Sequence, residues 1–127
     1  MNITLFAQIF QSVSRETFTK LVDKYQSNKH CKGNDAWSHF VTMVFCQFSQ
    51  SNSLNDVCNG MRLATGNLNH LGVKKAMKKS SLSYCNQHRN WELFRDMYYS
   101  LYDQLAGSIS KSRKLLPKRS IYLLDST

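Results

Sequence analysis

Proline occurs once and glycine five times in this chain of 127 residues, so helix breakers are scarce and long helices are favoured over turn-rich sheets. No apolar run approaches the roughly 20 residues that span a bilayer, and no basic segment followed by an apolar stretch opens the chain as a secretion signal would. The four cysteines, Cys31, Cys46, Cys58 and Cys85, are widely spaced and form no Cys-x-x-Cys pair. That spacing argues against structural zinc, because Cys31 beside His30 is half a site and nothing suitably placed completes it. Three of the cysteines sit in apolar helical patterns, which predicts buried free thiols and suits an intracellular, reducing compartment. Acidic residues are also few, 8 against 17 Lys and Arg, and none lies between Leu71 and Trp91.

What is present suffices for one core. Hydrophobic residues make up 42% of the chain and aromatics 12%, which excludes wholesale disorder. The length fits one domain with a real interior and is too short for two full ones. The net charge of +9 is unevenly distributed: residues 1–70 carry 6 basic and 4 acidic side chains, residues 71–127 carry 11 and 4. A polyanionic partner is therefore expected on the second half.

Apolar periodicity lays out the helices. Leu5, Phe6, Ile9, Phe10 and Val13 recur at helical spacing. Ser14 can cap a second helix, RETFTKLVDKY, with Phe18, Leu21, Val22 and Tyr25 on one face. The segment QSNKHCKGND reads as a polar loop, after which Asn34 or Asp35 can cap the most apolar helix of the chain. Its Trp37, Phe40, Val41, Val44, Phe45 and Phe48 predict the centre of a bundle. Ser53 caps the next helix, whose Leu54, Val57, Cys58 and Met61 face inward, and Asp56 adds negative charge at the positive end of its dipole. A turn, a short helical segment and a loop follow, then a long helix starting at Ser80 or Ser81 and ending near Ala106, with Gly107 as its breaker. The apolar face of that long helix shifts by about a third of a turn between Leu82/Cys85 and Phe94/Met97/Tyr98, at 100° per residue. One straight helix would then meet different partners at its two ends. Arg89 falls on the inner side, where an acid such as Asp56 would have to meet it.

The whole reads as an all-α helical bundle containing a helix-turn-helix-like element, over residues 1–107. A basic linker, KSRKLLPKR, and an apolar β-type run, SIYLLDST, occupy residues 108–127. A strand needs a neighbour and none is evident, so the chain is expected to be part of something longer.

Lys74, Lys75, Lys78 and Lys79 lie between the two helices of the helix-turn-helix-like element. Such a run is either a solvated loop or a set of phosphate contacts; the missing acids and the helix start that follows favour DNA phosphate. On that second helix Ser81 belongs to the first turn, and Ser83, Tyr84 and Gln87 point away from Leu82 and Cys85, where base edges could be met. The competing reading is an ordinary polar face. His70 and His88 have no nucleophile arranged with them in a recognisable motif, so catalysis by either is not expected.

Three stretches, SLNDV (Ser53–Val57), LNHLGV (Leu68–Val73) and SSLSYCNQHR (Ser80–Arg89), together with the terminal YLLDST, resemble the N-terminal region of insertion-sequence-four family transposases of the DDE type. The resemblance departs at Asn55, where relatives often carry Arg, and at Tyr84 and Cys85, where Asp and Ala are more usual. It implies a DNA-binding front end that recognises the terminal inverted repeats of an insertion sequence for cut-and-paste transposition, in a bacterial cytoplasm and on the nucleoid. It also implies that Asp125 is the first catalytic, metal-binding aspartate of a ribonuclease-H-like core, acting with Mg2+ or Mn2+ only in the intact protein. The remaining acids of that set have no counterpart here, so this chain alone is expected to need no cofactor and to be non-catalytic. An alternative class is a helical dimerisation module, with Tyr98, Tyr99 and Tyr102 forming an aromatic surface between two copies.

Overall fold

Three side-chain oxygens start helices where spacing alone places them. Ser14 Oγ accepts from the Thr17 amide at 3.2 Å, Asp35 Oδ1 from Ser38 at 3.0 Å and Ser53 Oγ from Asp56 at 3.2 Å. Each such cap contributes about 1 kcal/mol. The computed structural model describes residues 3–29, 33–64 and 68–113, and is all-helical, with no strand among the described residues. Its elements are α1 (Ile3–Gln11), α2 (Arg15–Tyr25), α3 (Ala36–Ser49), α4 (Leu54–Leu63), a 3-10 turn (Leu68–Leu71), α5 (Lys79–His88) and α6 (Trp91–Arg113). Two units divide the chain, Met1–Met97 and Tyr98–Thr127.

Within the first unit α3 is the most buried helix, as its sequence predicts. Trp37 stands among Phe10, Phe18 and Phe40 with ring centroids 5.1–5.7 Å apart, and Phe45 meets Phe6 edge-on at 5.6 Å. Such ring pairs contribute about 0.5–1.5 kcal/mol beyond the area they bury. α4 lies against α3 through Val57, Cys58 and Met61, all buried. At Gly60 the approach is so close that an added Cβ would sit 2.8 Å from Phe45 Cε1. Gly60→Ala should therefore lower stability by about 1–3 kcal/mol despite the better helix propensity of alanine. Unchanged urea unfolding of that variant would contradict so close a packing of α4 on α3.

The packing also corrects several expectations. Phe48 is 51% exposed, although it touches Phe6, and it stands one residue before the end of α3. Leu5 is likewise exposed; Phe6 and Phe10 carry the burial of α1. The long helix expected from Ser80 to Ala106 is two helices. Arg89 is extended (φ −78°, ψ 144°), and α6 restarts at Trp91. The shifted apolar face marked that break. α5 starts at Lys79, one residue early, with Lys78 at the cap and no side-chain cap bond. Gly107 does not end α6, which continues to Arg113 and takes in the first three residues of the expected linker. Positive φ among the described glycines is confined to Gly33 and Gly72, so Gly107 makes no left-handed cap. The rest of the linker, the β-type run and Asp125 lie outside the described residues, as does Cys31 with His30. Among the described cysteines, Cys58 and Cys85 are buried free thiols and Cys46 is half-buried.

Candidate nucleic-acid interface

The lysine-bearing loop is held by the motif that precedes it. Leu68 and Leu71 of the 3-10 turn and Val73 beyond it are buried, and Gly72 turns the chain at φ +76°. The Val73 amide donates to Leu68 O at 3.0 Å and that of Gly72 to Asn69 O at 3.1 Å, which closes the turn. From α3, Trp37 Nε1 donates to Leu71 O at 2.6 Å. The Arg15 guanidinium covers the same indole at 4.0 Å from its centroid, and Arg15 Nη1 lies 2.3 Å from where a Gly72 Cβ would stand. The left-handed φ favours glycine here, and any side chain would also push the Arg15 guanidinium aside. The sequence LNHLGV thus anchors a loop; its His70 is exposed.

Lys74, Lys75, Lys78 and Lys79 emerge from that anchor, all exposed. Among the described residues no acidic side chain lies within ion-pair distance of them. Lys74, Lys75 and Lys78 line one pocket of about 350 Å³ together with Arg62 and Asn69. Arg62, in the last turn of α4, was not singled out by the sequence. No local signal marked it, since the pocket forms only once the lysine loop has returned to the end of α4. Lys74 and Lys75 also border a second depression, of about 370 Å³, with Asn28, Gly33, Ser38 and the acidic Asp35, whose carboxylate caps α3.

At α5 the first-turn amides have no side-chain cap, in contrast to those of α2, α3 and α4. Of the residues expected to face base edges, Tyr84 and Gln87 are exposed, and Ser81 and Ser83 are half-buried. Tyr84 stacks on His88 with centroids 3.9 Å apart. Ser81 and Tyr84 line a groove of about 540 Å³, whose other wall, Lys29 and Asn34, comes from the segment between α2 and α3. Lys78 and Lys79 lie just before Ser81 in sequence, so the phosphate candidates gather at the start of α5, with Tyr84 and Gln87 further along the same helix.

Arg89 fixes that helix in place by a route different from the expected ion pair. Its guanidinium donates to the carbonyls of Asn34 at 2.8 Å, Ser27 at 3.3 Å and Asp35 at 3.4 Å, whereas Asp56 is exposed on α4. Three carbonyl dipoles replace the acid. They tie the end of α5 to the cap of α3. The start of α6 is joined to the earlier helices at two places: Phe94 stacks on Phe40 at 6.3 Å, and Asp96 accepts a short hydrogen bond from the Tyr25 hydroxyl. The Asp96 carboxyl is held below its ordinary value by Tyr25 and then Arg95.

His39 is buried, with Nε2 2.6 Å from Asn86 Oδ1 on α5. Burial pushes its pKa below the ordinary 6.5, against the bond to Asn86. The unfolded chain then binds a proton that the folded one refuses, so stability is full above 6.5 and declines as pH falls toward the lowered value. Asp96 acts only below its ordinary 3.8, so the windows are separate. Urea titrations at pH 7 and pH 5 should show the loss in the native chain and a smaller one in His39→Gln; equal losses would remove His39 as its source.

Among the described residues no group of three or more His, Cys, Asp or Glu could hold a metal ion, and no helix is long and apolar enough to cross a membrane. The family model described as "Domain of unknown function (DUF4372)" matches residues 1–74. No curated protein and no solved structure matches the chain.

Proposed function

The chain belongs to that family of unknown function, and we propose that it is a double-stranded DNA-binding domain. The observation that carries the proposal is the pocket ringed by Arg62, Lys74, Lys75 and Lys78, lined by no acid and continuous in sequence with the uncapped start of α5. Cationic side chains there neutralise phosphates and release counterions, which gives affinity without sequence preference. The first-turn amides of α5 add donors suited to phosphate oxygens. Tyr84 and Gln87, one and two turns further along, are the candidates for base contact.

α4 and α5 pack together, as the two helices of a helix-turn-helix do, but fifteen residues separate them, from 64 to 78. A helix-turn-helix has a turn of about three or four residues. The proposed use is therefore helix-turn-helix-like, with the lysine loop as an added backbone clamp. The likeness of SLNDV, LNHLGV, SSLSYCNQHR and YLLDST to insertion-sequence-four family transposases supports placing this domain at the front of a DDE transposase. In that longer protein Asp125 would be one of several carboxylates that hold divalent metal for strand cleavage.

Fluorescence anisotropy tests the binding, with one duplex carrying the ends of the encoding element and one scrambled duplex, each at two salt concentrations. Salt-sensitive binding to both, tighter for the element ends, is expected. Salt-independent or absent binding would overturn the proposal.

A further inference from the structure

In the second unit, Tyr98, Tyr102, Leu105 and Ile109 follow one another at intervals of four, three and four residues along α6. All four are between 50% and 62% exposed. This is the alternation of the inner positions of a coiled coil, the seam that one helix buries in another. The tyrosines are already ordered as a surface: Tyr98 and Tyr102 stack at 6.4 Å, and Tyr99 meets Tyr98 edge-on at 5.4 Å. A helical segment of this length with glycine inside it is marginal alone in water.

We propose that the seam is covered by the same seam of a second copy, in an antiparallel pair related by a two-fold axis. Charge favours self-pairing at this place. The chain carries +9, so two copies repel over much of their surface, yet the stretch Tyr98–Ser110 holds a single charged residue, Asp103. The flanking positions Tyr99, Leu101, Ala106 and Ser108 are uncharged and oppose no like charge. The register follows from side-chain size. Antiparallel pairing places Tyr98 against Ile109 of the second copy and Tyr102 against Leu105 of the second copy. Every layer then matches one aromatic with one aliphatic group, and the axis passes between Asp103 and Gln104. Parallel pairing would stack tyrosine on tyrosine at one end and leave thinner aliphatic layers at the other. Eight half-exposed side chains, each covering on the order of 100 Å², remove roughly 800 Å², short of the ~1,000 Å² of a stable interface and suited to a weak, transient pair. The dimer is therefore concentration-dependent. This proposal does not rest on the DNA reading and is tested without DNA.

Sedimentation equilibrium of the 127-residue chain should show a 14.7 kDa species that passes to twice that mass as concentration rises through the micromolar range. The double variant Tyr102→Asp/Leu105→Asp should remain monomeric, with the melting of the first unit unchanged because both side chains lie outside it, and with helical signal lost from the second unit alone. Ser100→Asp, off the seam, should dimerise like the native chain. When Tyr98→Cys and Ile109→Cys chains are mixed and oxidised, mass spectrometry should find the 98–109 disulfide between copies. Self-linked 98–98 and 109–109 pairs would overturn the antiparallel register. A native chain that stays monomeric, a dimer that survives the double variant, or open-ended larger oligomers would overturn the interface.

Discussion

Trp37→Ala is expected to lower stability by about 3–5 kcal/mol, the range for truncating a buried tryptophan. Against a total of about 5–15 kcal/mol for a domain, that brings the fold close to collapse. The indole is 5% exposed, touches Phe10, Phe18 and Phe40, and supports Arg15 on its face. Removing it opens a cavity in the centre of the first unit and strips Leu71 O of its donor. The two effects separate in Trp37→Phe, which keeps most of the packing and lacks the hydrogen bond. That variant should cost about 1–3 kcal/mol, the penalty for a carbonyl left without its partner. It should also speed hydrogen exchange at the Gly72 and Val73 amides, since the turn they close is held by that bond from α3. If Trp37→Phe exchanged at native rates there, Trp37 would be a packing residue only and the loop would be anchored elsewhere.

Much of the fold was legible because its signals are local. Ser14, Asp35 and Ser53 each precede an apolar repeat, and a cap with periodicity behind it defines a helix start to within a residue. The bounds of α2 and the burial of α3 followed from that. What was missed depends on interactions distant in sequence. Arg89 invited an acidic partner because a buried charge needs compensation; the carbonyls of Ser27, Asn34 and Asp35 supply it from more than fifty residues away. The break before Trp91 shows no glycine or proline, and its one local sign was the change of apolar phase. Gly107 resembles a helix stop, yet nothing lies within 4 Å of where its Cβ would be and its φ is not positive, so neither a close approach nor a left-handed cap explains it. In the site, the lysine run was visible as composition. Arg62 was not, because its pocket forms only when the loop folds back over the end of α4.

That pocket sets the last expected result. Lys78→Ala with Lys79→Ala should weaken binding to every duplex alike and lower the salt slope by about two, one for each phosphate no longer neutralised. Extending the change to Lys74 and Lys75 should lower affinity on the order of a hundredfold at moderate salt, with the slope reduced by about four. Arg62→Ala is the discriminating variant. If the basic residues merely create a diffuse positive field, removing one charge on α4 should act no more strongly than removing any exposed lysine elsewhere, such as Lys20 on α2. If Arg62 works with Lys74, Lys75 and Lys78 as one phosphate-binding surface, Arg62→Ala should reduce the slope by about one, and its effect should vanish once the lysines are gone. Tyr84→Ala and Gln87→Ala should behave in the opposite manner. They should leave the slope alone and narrow the preference for the element ends over scrambled DNA, by about 1–3 kcal/mol for each base edge no longer read. Circular dichroism of each variant must match the native spectrum, as expected for exposed side chains. An unchanged salt slope in the four-lysine variant would place the DNA-binding surface away from this loop, and equal slopes with and without Arg62 would reduce the pocket to a patch.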